Sequence, residues 1–296
     1  MEHVLDRLPS GGRVVVIRLR SLGDCVLTTP ALALLKSHRP DLQISIMVDT
    51  PWTPVFSGNP DVDAVIAPLP VRPDLLINLH GGTRSMILTA QSRARLRAGF
   101  AHHRYSFLYT DKIPTAQEIL GVDRKVHTVE HLASAMFWLG VPRTEIPRAK
   151  LFAEPHAESR PYAVIHPFAA TPEKTWPAER FFAVAERLRA SGLEPHILAG
   201  PGEDSSRFAD FRVWANEPLE RVKSVIAGAQ IFLGNDSGPA HIAAAFGVPV
   251  VALFGPSDPV IWAPWRVESR VLAHDPIAGI ELNQVVEALD SLKVRA

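Results

Sequence analysis

The chain has 296 residues, 47% of them hydrophobic and 21% charged, which is enough for a sizeable core and for two domains of ordinary size. Lys+Arg and Asp+Glu are both 31, so the formal net charge is +0 and the broad positive field of a general nucleic-acid binder is excluded. A single cysteine, Cys25, rules out an internal disulfide and a cysteine-based zinc site; with no signal-peptide core at the N-terminus and no long apolar run, a soluble cytoplasmic protein is expected.

In chain order, apolar runs of strand length alternate with segments of helical period, the pattern of a parallel sheet covered by helices. Strands are expected over 14–19, 44–48, 64–67 and 75–79, with helices after Pro30, over 83–93 and over 128–139. The pattern then starts afresh: strand 162–166, helix 177–190, strand 195–199, helix 219–227, strand 231–233, helix 239–246 and strand 250–254. Between the halves, 142–161 is rich in proline and charge and poor in periodicity, which reads as a linker. An α/β fold of two Rossmann-like domains, 1–155 and 156–296, facing each other across a cleft, is therefore expected. Leu282, Val285, Val286 and Leu289 fall at i, i+3, i+4 and i+7, giving a C-terminal amphipathic helix that packs on one domain or bridges both.

Two turns carry candidate chemistry. The first strand runs into Arg18-Leu-Arg-Ser-Leu-Gly-Asp24, at the carboxyl edge where open α/β sheets place their ligands. Asp24 there reads either as a general base toward an attacking hydroxyl or as a loop or cap carboxylate. Thr29 can cap a helix that opens on Pro30; alternatively the helix starts near Asp24 and Pro30 kinks it. In the second half, Gly234-Asn-Asp-Ser-Gly-Pro-Ala-His241 leads from a strand into a helix that Gly247 stops. Free N–H groups of Ser237 and Gly238, backed by the helix dipole, suit a diphosphate. Asp236 would repel phosphate, so it is expected to cap the backbone or meet sugar hydroxyls; His241 could donate to a phosphate oxygen or be a satisfied structural residue.

Lys174 stands on a loop beside Thr171 and Thr175, just after a strand, as a point charge for a developing phosphate charge or simply as a solvated loop cation. Glu203 could accept hydrogen bonds from a ribose. Ala199-Gly-Pro-Gly202 lacks the third glycine of a dinucleotide fingerprint, which removes the main support for a dehydrogenase. No acidic residue occurs from 75 to 110, whereas Arg84, Arg93, Arg95, Arg97 and Arg104 do, with His80, His102 and His103. This patch suits an anionic acceptor, or is an ordinary arginine-rich surface; its few aromatics argue against single-stranded nucleic acid. Asp61-Val-Asp63 spells the Asp-x-Asp of many metal-dependent glycosyltransferases but reads as a turn, and Cys25 reads as a packing residue rather than a nucleophile.

Five ordered segments resemble glycosyltransferase family 9, the ADP-heptose:lipopolysaccharide heptosyltransferases. They are 16–31, 56–63, 74–82, Lys174-Thr-Trp-Pro177, and Gly234-Asn-Asp-Ser-Gly-Pro-Ala-His241 continuing through 252–259. The resemblance implies a GT-B fold and inverting transfer from an ADP-heptose donor, with no metal and no other cofactor. Asp24 matches the proposed base; Lys174, Asp236, Ser237, Gly238 and His241 match donor-site motifs, with Thr171 and Glu203 beside them. Arg84, Arg93, Arg97 and Arg104 are the candidate contacts to an acceptor such as the anionic lipopolysaccharide core, with at most peripheral membrane contact. Two other readings stay open: a non-catalytic nucleotide-sugar-binding module, in which Asp24 is dispensable, and another GT-B enzyme such as a nucleotide-sugar epimerase, which converts donor without an acceptor.

Overall fold

The computed structural model describes residues 2–292; Met1 and 293–296, the outermost ends of the two expected domains, lie outside the described residues. Two compact units divide the chain, Met1–Lys150 and Leu151–Ala296.

The first unit runs β1 (Arg13–Ile17), α1 (Leu22–His38), β2 (Gln43–Met47), β3 (Ala64–Ile66), β4 (Leu75–Asn78), α2 (Thr83–Gln91), β5 (Leu96–Phe100), β6 (Asp111–Ile113), α3 (Ala116–Leu120) and α4 (Thr128–Leu139). Its sheet has the order β3-β2-β1-β4-β5-β6, and every neighbouring pair is parallel. Val14, Val15, Val16 and Ile17 are all buried because β1 is central and covered on both faces.

The second unit repeats the plan: β7 (Tyr162–His166), α5 (Ala178–Ala190), β8 (Glu194–Ala199), β9 (Arg212–Ala215), α6 (Leu219–Ala227), β10 (Ile231–Asn235), α7 (Gly238–Phe246), β11 (Val250–Phe254), α8 (Pro259–Trp262), β12 (Ser269–Ala273) and α9 (Leu282–Asp290). The order is β12-β11-β10-β7-β8-β9, again all parallel. In both sheets the unit's first and fourth strands are neighbours, so the direction of winding reverses between β1 and β4 and between β7 and β10. Ligands of doubly wound sheets bind at that switch point. The core of the second unit packs Trp176, Phe181, Ile165 and Leu253 against Ile277, Val285 and Leu289. The last two come from α9, which lies on α5, β11 and β12.

Four strands escape the sequence pattern: β5, β6, β9 and β12. Three of them, β6, β9 and β12, are sheet edges and carry charges in the run, as in Asp111-Lys-Ile113. In β5 the sequence Leu-Arg-Ala-Gly-Phe offers little β propensity, and Gly99 is required by packing: a Cβ there would overlap the Tyr109 ring.

The opening of α1 also differs from a start at Pro30. The helix begins at Leu22 with Ser21 as N-cap and Asp24 at the third helical position, closing a reciprocal capping box. Pro30 lies inside it and has no N–H for the Val26 carbonyl. The Thr29 hydroxyl donates to that carbonyl at 2.9 Å instead, while accepting from Lys150 N at 3.1 Å. Thr29 therefore repairs the helix rather than capping it.

Candidate active site

At the switch point of the first sheet, Asp24 has its carboxylate fixed from two sides. Its Oδ2 accepts from Ser21 N (3.3 Å) and Ser21 Oγ (3.1 Å), and its Oδ1 is ion-paired with the Arg18 guanidinium. Arg18, at the end of β1, is anchored in turn by donating to the Leu79 carbonyl at 2.5 Å, at the end of β4. Asp24 thus caps α1, as one of its two readings expects, and stands at the ligand edge of the sheet with its side chain 19% exposed.

The turn after β4 is built by Asn78, which is fully buried. Its Oδ1 accepts from His80 N and Gly81 N, both at 3.0 Å, and its Nδ2 donates to Ser85 Oγ and Thr89 Oγ1. His80 is thereby carried into the field of Arg18 and Asp24; burial, then the Arg18 cation, lowers its pKa. His103, bonded through Nδ1 to Tyr109 Oη at 2.7 Å, is pushed down to about 4 by burial and by its histidine neighbours. His131, stacked on Phe100 at 4.0 Å, is likewise pushed to about 4. Each of these three rings gives up its proton more readily than a free imidazole, so His80 and His103 add less positive charge to the 75–110 patch than their number suggests. His131, on α4, is the one that sequence proximity could not reveal.

The arginines of the patch separate. Arg97 donates through Nε to the Leu108 carbonyl and through Nη1 to the Ala94 carbonyl, so two of its five N–H groups tie the segment before β5 to the β5–β6 connection. Arg84 is exposed and pairs with Asp49 at 2.7 Å. Arg104 lies over the Tyr105 ring, and Arg93 is exposed with φ 51°. Asp61 and Asp63 lie in the expected turn: Asp61 N donates to Asn59 Oδ1 at 2.9 Å, and the Asp63 carboxylate accepts from Ile44 N at 2.7 Å and pairs with Lys36. Among the described residues no group of three or more His, Cys, Asp or Glu could hold a metal ion.

Cys25 follows Asp24 but is buried, and burial, more than the neighbouring carboxylate, pushes its thiol up to about 12. Thiol reagents at pH 8 should therefore label the native chain on the order of 10³-fold more slowly than the urea-unfolded chain. Comparable rates in a stopped-flow thiol assay would contradict a packed, protonated Cys25.

At the switch point of the second sheet, three loops meet. Lys174 closes a one-turn helix (Pro172–Lys174) and its Nζ lies 3.4 Å from Asp236 Oδ2. Asp236 does not cap α7, whose N-cap is Ser237; its Oδ2 is the counter-ion of Lys174. The loop is tied down by Trp176, whose backbone N–H donates to the Asn235 side chain at 3.0 Å and whose indole donates to the Ile280 carbonyl at 2.9 Å. Gly255 lets the strand end approach the loop, since a Cβ there would sit 2.6 Å from the Glu173 carbonyl. Thr171 shapes the same loop: its carbonyl accepts from Lys174 N and Thr175 Oγ1, and its hydroxyl bonds Glu173.

Ser237 is the N-cap of α7, yet its hydroxyl makes no cap bond. It lies 3.1 Å from His166 Nδ1, while His166 Nε2 lies 3.5 Å from Glu203 Oε2. The close approach of β10 to His166 requires Gly234, whose Cβ would meet the His166 carbonyl at 3.0 Å. Glu203 Oε2 also accepts from Gly200 N at 2.6 Å. Burial alone would raise the Glu203 carboxyl, but His166 and that N–H outweigh it and hold it below the usual range. Gly238 opens α7, whose first N–H groups have no acceptor within the helix, and Gly247 ends it at φ 72°. His241, on the first turn of α7, is only 4% exposed. His166 is the residue sequence reasoning missed; its only signal was a histidine closing an otherwise apolar strand.

The family model of glycosyltransferase family 9 (heptosyltransferase) matches residues 71–281, well over half of the chain. The chain belongs to glycosyltransferase family 9. It is 27% identical to lipopolysaccharide heptosyltransferase 3 of Escherichia coli, over 83% of this chain and 84% of that one. In fold it is similar to the crystal structure of a family 9 glycosyl transferase from Veillonella parvula DSM 2008 (TM-score 0.84, 24% identity, 95% and 96% of the two chains covered). It also matches E. coli heptosyltransferase WaaC with ADP (TM-score 0.79, 21% identity, 94% and 99% covered). The family 9 chain is thus a glycosyltransferase with the two Rossmann-like units of the GT-B class. No helix among its described residues is long and apolar enough to cross a membrane.

Proposed function

We propose that this glycosyltransferase moves a heptose from ADP-heptose to a hydroxyl of an anionic acceptor in the lipopolysaccharide inner core, by one inverting displacement without a metal. The observation that carries the reading is the meeting of Lys174, Asp236, Ser237 and Glu203 at the β7–β10 switch point, beside the start of α7. In this reading Ser237 Oγ and the first N–H groups of α7, including that of Gly238, face the diphosphate. The Lys174 ammonium, held by Asp236, follows the charge that grows on the leaving phosphate. Both contacts of Glu203 fall on Oε2, so Oε1 is the acceptor offered to a ribose hydroxyl.

Asp24 of the first unit takes the proton of the attacking hydroxyl. The new bond to the anomeric carbon forms as the bond to the phosphate oxygen breaks on the opposite face, and ADP departs. Arg84, Arg93, Arg97 and Arg104 are the groups proposed to meet the acceptor's charges; Arg97, with two of its five N–H groups on backbone carbonyls, is the most constrained of them. The names of the relatives point the same way, as lipopolysaccharide heptosyltransferases and as a heptosyltransferase with ADP.

Incubation with ADP-heptose and a panel of core acceptors tests the reading by nucleotide release and product mass. ADP release that depends on acceptor, with a product heavier by one heptose, is expected; conversion of the donor with no acceptor product would overturn it. Lys174→Ala should weaken ADP binding by about 10- to 100-fold, since one charge-assisted contact contributes roughly 1.5–3 kcal/mol. Unchanged affinity in titration calorimetry would take Lys174 out of the donor site.

A further inference from the structure

We propose that His166 is a positioning residue that sets which way the Ser237 hydroxyl points its proton, so that gripping a nucleoside diphosphate draws a proton onto the imidazole. The proposal rests on the donor reading of the second unit. Its basis is the chain Glu203–His166–Ser237, with 3.5 Å between Oε2 and Nε2 and 3.1 Å between Nδ1 and Oγ.

The argument is one of donors and acceptors. A carboxylate can only accept, so Nε2 must carry a proton to satisfy Glu203. In the neutral ring Nδ1 is then an acceptor, and Ser237 spends its one hydroxyl proton on it. The outer side of Oγ presents only lone pairs, which repel the oxygens of a phosphate. In the imidazolium form Nδ1 becomes a donor, Ser237 accepts from it, and the hydroxyl proton is released toward the diphosphate. Phosphate binding and ring protonation therefore favour one another, each by the same factor. Enclosure of the ring at 7% exposure opposes its charge in the free protein, while the low dielectric strengthens the pull of Glu203 and of a bound diphosphate on the charged form.

The groups facing the ring come from each packed element. Glu203 lies on the turn after β8, Ser237 on the turn after β10, and the Phe168 ring, with centroids 6.0 Å apart, on the loop that follows His166 itself. Asp236, next to Ser237, is matched by Lys174. Glu203 is thus given a second task beside the ribose, and Ser237 becomes a hydroxyl whose polarity is set by a neighbour instead of by helix capping.

The test uses the full-length protein and ADP-ribose as the probe. Its two phosphates each carry one permanent charge, whereas the terminal phosphate of ADP titrates near neutrality and would mask the effect. Titration calorimetry between pH 6 and 9, in buffers of different ionisation heat, counts the protons taken up. Net uptake is expected, with affinity weakening as pH rises, toward about tenfold per unit. His166→Asn puts a permanent amide donor near the Nδ1 position, so its affinity should no longer change with pH; Ser237→Ala should bind weakly and equally without pH dependence. A wild-type affinity with no proton uptake overturns the proposal, whether or not either variant folds. So does the wild-type pH dependence persisting in both variants. If neither ADP nor ADP-ribose binds the wild-type chain, the donor reading fails first, and that failure is visible before any pH comparison.

Discussion

Asp24→Asn is expected to leave the chain folded and to lower turnover with ADP-heptose and acceptor by about 10²- to 10⁴-fold, the usual span for removing a general base. Asparagine keeps a side-chain oxygen that can accept from Ser21, so the start of α1 survives, but it cannot take a proton from a hydroxyl. It also leaves the Arg18 guanidinium, which is largely buried at 12% exposure, without its counter-ion. A loss of roughly 1–3 kcal/mol in stability follows from that unpaired charge, and a urea midpoint measured beside the kinetics separates it from the chemistry. Ser21→Ala is the control: it removes a cap hydroxyl and keeps the carboxylate, so its turnover should stay within a few-fold of the wild type. Near wild-type turnover in Asp24→Asn would remove Asp24 from the mechanism.

Trp176→Ala should be the most damaging single change to stability, costing about 3–5 kcal/mol. The side chain is fully buried, meets Phe181 edge-on with ring centroids 5.0 Å apart, and donates from its indole to the Ile280 carbonyl. Trp176→Phe retains most of the volume and loses the indole hydrogen bond, so roughly 1–2 kcal/mol is expected for it. The effect extends to ligand binding because the residue anchors the loop that carries Lys174. ADP affinity in Trp176→Ala should fall, by less than in Lys174→Ala, when both are measured at a temperature where the variants are folded. A denaturation midpoint equal to the wild type's would show that this indole does not hold the loop.

Sequence reached the residue types of the candidate sites further than their pairings. Lys174, Asp236 and Ser237 stand at strand-to-helix turns, and their chemistry follows from residue type and position alone. Their pairings do not. Asp236 was expected at a cap or a sugar; its Oδ2 faces Lys174, 62 residues away in the chain. Arg97 looked like one more surface cation; two of its N–H groups are taken up by the carbonyls of Ala94 and Leu108, in segments that no periodicity marked. The neutral histidines are a similar case, since burial beside other cations, visible only in three dimensions, decides their charge.

Alternation of apolar runs with helical periods was enough to establish two parallel-sheet units, because a strand covered on both faces must be apolar throughout and the helices that cover it must not be. Chain order and turn chemistry likewise placed Asp24 and the Ser237 turn at sheet edges. What the tertiary structure alone decided is partnership: that His166 stands between Glu203 and Ser237, that Arg18 holds Asp24, and that Thr29 mends the helix around Pro30. Hydrogen bonds and ion pairs act over about 3 Å, and no local pattern specifies which distant turns the winding of a sheet will bring that close.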